Sequence, residues 1–480
     1  FIDDTGRIRV FHGVNAVYKL HPFHPVLDSF DPQRSLCEED MAFLEAHGMN
    51  LIRLGVLWSG VELSPNVYND TYLEVMRGLS DRLGAHGIYT LVDAHQDSMG
   101  KKFCGEGFPG YALQPQGARN FPAPIAPAGS IPNGTDGFPN TTACQQHEFV
   151  LYSFTEEEAS AWAQFYESDF LRGQFAHYWA KVASAFNTSD YVLGYELLNE
   201  PWFGDVYKNP LWLLEEHKAD LNNLTPLYSL AYKAIRAVDE GHIVAFEPTV
   251  TEGYIFEDVG FDKGMLGGMG DLNKTALALH FYCFGQNATG DITNLSFCKD
   301  LLSWNWATSL RSRQKLGTGF LITEFGAVGN HTSSAEAITA LADLADSSLT
   351  SWAYWTFKGF EDITTQNSAT ESFYNDDGSL QTLKLAALTR TYAQALAALP
   401  GSSAMSFDTA TAHFNVSFVP NPAAAGPTEI YFSEEYHYPT GAVFASDPPT
   451  ATFTKLSNYT MAVQFPKSTT TRVSVTVSRK

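Results

Sequence analysis

The stretch "YVLGYELLNEP" (191–201) carries the architecture of this chain. It is an apolar run through Leu198 that presents Asn199 and Glu200 and then stops at Pro201. A strand covered on both faces reads as such an unbroken run, whereas a half-solvated strand alternates. Seven more runs share the texture: "VFHGVNA" (10–16), "NLIRLGV" (50–56), "YTLVDAH" (89–95), "IVAFEP" (243–248), "ALALHFY" (276–282), "GFLITEFGA" (319–327) and "SWAYWTF" (351–357). Helical patterns separate them. "SLCEEDMAFLEAHG" (35–48) opens with Ser35 and Glu38 at capping-box spacing, and "TEEEASAWAQFYES" (155–168) opens with Thr155 and Glu158. Further helices fit 72–87, 225–241, 298–317, 333–345 and "TLKLAALTRTYAQALAAL" (382–399). Eight buried strands with interleaved helices predict an α/β fold, a (β/α)8 TIM barrel over 1–398.

Two regions depart from this rhythm. The segment 96–154 is rich in Pro, Gly and Asn, and leaves the third run at the end where barrel sites form. It is too long for an ordinary connection and is expected to be a functional loop or lid. From 399 to 480 the chain alternates polar and apolar residues, as in "TAHFNVSFVP" and "TTTRVSVTVS", which predicts a C-terminal antiparallel β-sandwich.

Composition narrows the function. The 480 residues are 44% hydrophobic and 14% aromatic, enough for a large core. The formal charge of -23 argues against binding a nucleic-acid backbone or an anionic membrane surface. No apolar run reaches the ~18 residues of a membrane span. The chain begins at Phe1 with no leader-like segment, so a targeting segment is expected to have been removed or omitted.

Eleven N-x-[ST] sequons stand at Asn69, Asn133, Asn140, Asn187, Asn223, Asn273, Asn287, Asn294, Asn330, Asn415 and Asn458. They point to passage through a glycosylating secretory pathway, hence a secreted, extracellular or lysosomal protein. Of five cysteines, Cys104 and Cys144 share the long insertion, and Cys283 and Cys298 bracket a polar loop. Each pair is expected to form a disulfide closing its loop, with Cys37 left as a buried thiol.

In a (β/α)8 barrel, polar residues at the C-terminal strand ends face the substrate. They include Lys19, Arg53, His95, Asp97, Asn199, Glu200, His280, Tyr282, Glu324 and Trp355. Taken singly, a strand-end Glu or a buried Arg is as often structural as functional. Together the list has chemical content. Glu200 and Glu324 lie on opposite sides of the mouth, and two carboxyl groups flanking one bond suit glycoside hydrolysis. Arg53 and Tyr282 are expected to hold Glu324 ionised, aromatic neighbours to favour neutral Glu200, and His280 to orient it. Asn199 is placed to bond a sugar 2-hydroxyl, and Trp355 offers a flat face to a pyranose.

"LNEP" (198–201) and "TEFG" (323–326) resemble the retaining clan A glycosidases of family five, the cellulase-like group, whose recurrent set falls in order on Arg53, His95, Asn199, Glu200, His280, Tyr282, Glu324 and Trp355. "GVNAVYK" (13–19), "WSGVELSPNVYNDTYLEVM" (58–76), "LVDAHQDSMG" (91–100) and "PTEIYFSEEY" (427–436) are similar to the endoglycoceramidases. That resemblance implies a barrel joined to a β-sandwich and release of an intact glycan from ceramide. It implies Glu324 as nucleophile, Glu200 as acid/base, and Lys19, His95 and Asp97 as sugar ligands. It implies no metal or cofactor. The partner is then a glycosphingolipid in a micelle or membrane, with a detergent or activator protein as a further partner. An exo-acting glucosylceramidase and a polysaccharide endoglucanase or mannanase are the alternatives. The stretch "TFKGFEDITTQNS" after Trp355 is more polar than the resemblance leads one to expect, and the sequons point to a eukaryotic member.

Overall fold

The computed structural model describes residues 1–250, 258–364 and 368–480. Thr365 to Asn367, within the polar stretch that follows Trp355, lie outside the described residues. All eight apolar runs form parallel strands: β1 (His12–Ala16), β2 (Leu51–Gly55), β3 (Tyr89–Asp93), β4 (Val192–Glu196), β5 (Ile243–Phe246), β6 (Thr275–Phe281), β7 (Gly319–Phe325) and β8 (Ser351–Tyr354). They pair in chain order, and β8 closes on β1. Helices on one side and the barrel interior on the other cover both faces, which is why these strands read as unbroken apolar runs.

The helix Asp169–Phe186 was not expected from the sequence. It starts where Ser168 accepts a hydrogen bond from the Leu171 N–H, a standard N-cap. Its buried face carries Phe175, Tyr178 and Trp179. Tyr178 donates to the Val56 carbonyl (2.5 Å) and Trp179 to the Leu197 carbonyl (3.0 Å), tying the helix to the ends of β2 and β4. The first helix also starts differently from expectation. Cys37 is the N-cap, and Asp40 rather than Glu38 reaches back to its N–H at 2.9 Å.

A second difference moves the junction between the two domains. The stretch expected as one helix over 382–399 is helical only over Thr382–Leu388. Tyr392–Leu396 is strand β9, paired with Ile8–Arg9 on one side and with β12 (Thr428–Tyr431) on the other. Ala and Leu favour helix locally, but edge-to-edge pairing in a sheet overrides that weak preference. The β-sandwich therefore begins near Tyr392 rather than at 399, and it borrows the N-terminal Ile8–Arg9.

One of its sheets holds Ile8–Arg9, β9, β12, β15 (Thr460–Gln464) and β14 (Thr452–Lys455) in that order. The other holds β10 (Ala404–Asp408), β11 (His413–Phe418), β16 (Val473–Arg479) and β13 (Ala442–Asp447). Phe414, Val416, Val475 and Val477 bury the inner faces at every second residue.

The sandwich docks on the N-terminal end of the barrel. Tyr431 donates to the Ala46 carbonyl (2.7 Å) and Tyr392 to the Gly48 carbonyl (2.9 Å), both just before β2. Arg390 pairs with Asp346 (2.8 Å), just before β8. The opposite end is left to the long loops. Among the described residues no helix is long and apolar enough to cross a membrane.

Disulfides join Cys104 to Cys144 and Cys283 to Cys298, and Cys37 is a buried thiol. Six sequon asparagines are exposed: Asn133, Asn140, Asn273, Asn287, Asn294 and Asn458. Asn69, Asn187, Asn223, Asn330 and Asn415 are half-buried. The Asn187 and Asn223 amides donate to the carbonyls of Val238 and Phe203.

Candidate active site

The mouth is organised around Arg53, which is fully buried. Its place on β2 puts Asn15 of β1 beside it in register. The guanidinium fork reaches Glu196 (2.5 Å), Glu324 (2.5 Å), Asn199 Oδ1 (2.8 Å), Asp93 (3.1 Å), Asn15 Oδ1 (3.1 Å) and Glu247 (3.3 Å). Five strands thus converge on one cation, and a planar five-donor group suits that task better than an ammonium.

Glu324 is aimed into the mouth by an irregularity in β7. The register against β6 shifts between Ile322 and Glu324, which leaves Glu324 opposite His280. Bulges of this kind re-aim side chains beside active sites. Tyr282 then donates to Glu324 Oε2 at 2.6 Å, and His280 Nδ1 stands 3.5 Å from the same oxygen.

Glu200 is held in a conformation that costs energy. Its φ is +39°, in the left-handed region that a side chain disfavours by about 1–3 kcal/mol. Three contacts fix it. Gln96 Nε2 donates to the carbonyls of Asn199 (2.8 Å) and Glu200 (3.0 Å), and the Glu200 N–H donates to Glu247 (3.1 Å). The carboxyl meets His280 Nδ1 at 2.7 Å. Glu200, His280 and Glu324 each bring a polar atom within 4.8 Å of the others.

Burial acts on both glutamates. Burial pushes Glu200 up to about 7, with the Asp97 charge adding to the effect and His95, Arg53 and Lys19 opposing it. Burial also raises Glu324, against the pull of His280 and Arg53. Arg53 was expected to hold Glu324 ionised; the contact is present, but it does not outweigh the loss of water. His95 and His280 are both lowered by burial to about 4 and stand neutral.

A second cluster adjoins the first. His95 donates or accepts at Asp93 through Nδ1 (2.8 Å) and stacks parallel to Trp355 at 5.4 Å. The Trp355 indole donates to Glu371 (2.9 Å). Lys19 lies 5.1 Å from the Trp355 ring and is enclosed by Asp97 (2.6 Å), Thr364 (2.7 Å), Asp362 (2.8 Å) and Glu106 (3.4 Å). Expected as a sugar ligand, it is instead fully covered by carboxylates, and Asp97 is the more open partner.

Every residue nominated from the sequence thus falls on one face, in two adjoining groups. Glu196, Glu247, Glu106, Asp362 and Glu371 were missed. Glu247 had a signal, since it ends the run "IVAFEP", the one strand from which no residue was nominated.

The aromatic residues near the mouth divide between core and surface. Trp202 and Phe203 are buried, with Phe154 edge-on to Trp202 at 4.7 Å, so they pack rather than face outward. Phe281, Phe325 and Phe360 are also core. Exposed rings after β4 and β6 include Tyr207 and Phe284, 47% and 56% accessible.

Among the described residues, three carboxylate–histidine trios are compact enough to hold a metal: His95–Asp97–Glu106, Glu196–Glu247–His280 and Glu200–His280–Glu324. Lys19 or Arg53 reaches into each, so a protein cation already supplies the positive charge.

Comparison with known proteins agrees with this geometry. Residues 29–361 match the cellulase model of glycosyl hydrolase family 5, and 390–477 match the family 5 C-terminal domain. An endoglycoceramidase of Cyanea nozakii is 35% identical over 94% of this chain and 86% of its own length. One of Hydra vulgaris is 34% identical over 93% and 81%. The fold matches endo-glycoceramidase II of Rhodococcus sp., solved with ganglioside GM3 and as a lactosyl-enzyme intermediate. Each of those structures has a TM-score of 0.79 and 21% identity, and the match covers 100% of this chain and 99% of that one. Two carboxyl groups facing each other across a barrel mouth, a matched catalytic model and relatives aligned over more than nine-tenths of this chain lead to one conclusion: the chain is a retaining glycoside hydrolase of family 5 and belongs with the endoglycoceramidases.

Proposed function

We propose that this enzyme hydrolyses the β-glycosidic bond between the oligosaccharide and the ceramide of glycosphingolipids. The observation that carries the mechanism is the closeness of Glu200 and Glu324. Carboxyl groups about 5–5.5 Å apart leave room for direct attack on the anomeric carbon, whereas an inverting pair stands ~6.5–9.5 Å apart to admit a water. The substrate class rests on the likeness to endoglycoceramidases along nearly the whole chain.

Glu324 is the nucleophile. Arg53 and Tyr282 fix both its oxygens, so one lone pair faces the sugar without rotamer search. Glu200 is the acid. Near pH 7 and below it holds the proton that the departing ceramide oxygen needs. Once the glycosyl-enzyme forms, the Glu324 charge is gone, the Glu200 pKa falls, and the carboxylate left after protonating ceramide stays ionised to take a proton from the attacking water. Neutral His280 hydrogen-bonds Glu200 and sets its orientation.

Asn199 has its oxygen on Arg53 and one amide hydrogen on the Gln96 carbonyl, which leaves a donor for the sugar 2-hydroxyl. His95 Nε2 has no protein partner and is placed to bond a sugar hydroxyl, with Asp97 beside it, Lys19 behind and the Trp355 face below.

Product analysis with a labelled ganglioside tests the reading. An intact oligosaccharide plus ceramide is expected. Sequential loss of single sugars, or cleavage of glucosylceramide alone, would favour the exo-acting alternative; turnover of a β-glucan or mannan without ceramide release would favour the polysaccharidase. The exposed sequons and two disulfides support secretion, and endoglycosidase digestion of the native protein should shift its mass. Detergent or an activator protein is expected to aid turnover by presenting the lipid.

A further inference from the structure

Glu106 has no part in the mechanism above, yet its backbone is built into the site. The Asp97 N–H donates to the Glu106 carbonyl (3.1 Å) and the Glu106 N–H to the Asp97 carbonyl (2.9 Å). The insertion thus folds back on its own root. Glycines on both sides allow the approach. A Cβ at Gly105 would lie 1.8 Å from the Asp97 carbonyl oxygen. A Cβ at Gly107, whose φ is +113°, would lie 2.5 Å from that of His95. Cys104, two residues earlier, is bridged to Cys144.

The side chain is as unusual. Both carboxyl oxygens are buried and neither has a hydrogen-bond donor. Polar atoms of Glu106, Asp97 and His95 lie within 4.8 Å of one another, and Lys19 Nζ stands 3.4 Å away. One ammonium therefore faces three carboxyl groups, those of Asp97, Asp362 and Glu106. If all were ionised, two negative charges would be buried without compensation, at a cost of several kcal/mol each.

Their partners show where a proton goes. Asp97 takes Lys19 (2.6 Å), and Asp362 takes Lys19 (2.8 Å) and the Thr364 N–H (2.9 Å); the Thr364 hydroxyl, with one hydrogen to give, lies 2.6 Å from Asp97 and 2.8 Å from Asp362. Neutral His95 adds no charge. Burial first, opposed by Lys19 and reinforced by Asp97 and Asp362, drives Glu106 well above the usual carboxylate range, while Asp97 is lowered by Lys19.

We propose that Glu106 is a proton-bearing positioning residue of the glycone subsite: its neutral carboxyl donates to Asp97 and holds the Lys19–Asp97 pair in the geometry that meets the sugar. The inference rests on the sugar-binding role proposed for Asp97. It gives the insertion a function, since its bridged loop delivers the proton that lets three acids share one lysine.

The test uses the full-length enzyme with lactosylceramide in detergent micelles. Glu106→Ala is expected to raise KM about tenfold, the worth of a buried hydrogen bond to a charged acceptor, with a smaller change in kcat. Glu106→Gln keeps a donor toward Asp97 and should recover most of that loss. The infrared difference spectrum between wild type and Glu106→Gln at neutral pH should show the carbonyl band of a buried protonated carboxyl. Failure of Gln to rescue, or absence of that band, overturns the proposal. If Asp97→Ala leaves KM unchanged while the band persists, the glycone subsite reading fails instead, and the positioning role goes with it.

Discussion

Two fully buried arginines stand at opposite ends of the barrel, and their surroundings differ in one respect. Arg390, at the junction with the sandwich, meets Asp346 (2.8 Å) and Asp343 (2.5 Å), and the Phe407 carbonyl accepts another of its hydrogens. Of these two acids only Asp346 is buried with it, one acid to one base; the Asp343 side chain is 54% exposed and keeps its water. Arg53, at the mouth, serves Asp93, Glu196, Glu247 and Glu324 at once. Acid exceeds base there, so carboxyl protons are retained inside the protein. Asp93 is raised by burial to about 6, and Glu247 well above the ordinary range. A matched pair is structure; an oversubscribed one keeps titratable groups in reserve for chemistry.

Substitutions at the two ends should therefore fail differently. The largest effect is expected from Glu324→Gln, which removes the attacking group and should lower kcat by roughly four orders of magnitude with unchanged circular dichroism. Turnover within tenfold of wild type would dismiss Glu324 as nucleophile. Next comes Arg53→Lys. It keeps the charge but loses the fork, and kcat should fall by roughly 10²–10³, read in steady-state assays, since it unfixes Glu324 and Asn199 together.

Arg390→Met should do the reverse. Stripping a buried pair of its cation costs about 3–5 kcal/mol, seen as a lower urea midpoint, while kcat per folded molecule stays unchanged. A loss of kcat at constant stability would erase the contrast between the two arginines.

The smallest effect is in the pH profile. Glu200 must be protonated to act as acid, so kcat/KM should decline as pH rises through about 7. Glu324 must be ionised, and because it is raised, the acidic limb should sit above the ordinary glutamate range. The bell is then narrow. An alkaline limb that survives Glu200→Gln, assayed on an activated aryl glycoside that needs no acid, would show that the limb belongs to another group.

Much of this was legible in the chain. The eight apolar runs marked every barrel strand because parallel strands are buried on both faces and leave no room for alternation. Asn199, Glu200, His280, Tyr282 and Glu324 could be read because strand ends in a barrel share one rim. Glu196 was hidden inside "YVLGYELLNEP" as one acidic letter in an apolar strand; its reason for being there is Arg53, which lies 143 residues away in sequence. Glu106 and Asp362 were unreadable for the same reason, since Lys19 gathers them from separate loops. The strand Tyr392–Leu396 read as helix because its partners, Ile8–Arg9 and Thr428–Tyr431, leave no mark on its own residues.

Periodicity and strand-end chemistry, both local properties, were enough to specify a barrel, a sandwich and a two-carboxylate site. Closure of the barrel brought distant acids around Arg53 and Lys19, bent Glu200 to a positive φ, and turned Trp202 and Phe203 inward. Those outcomes depend on distances between segments far apart in the chain. Burial and charge sum over everything within a few ångströms, and a linear sequence does not contain that neighbourhood.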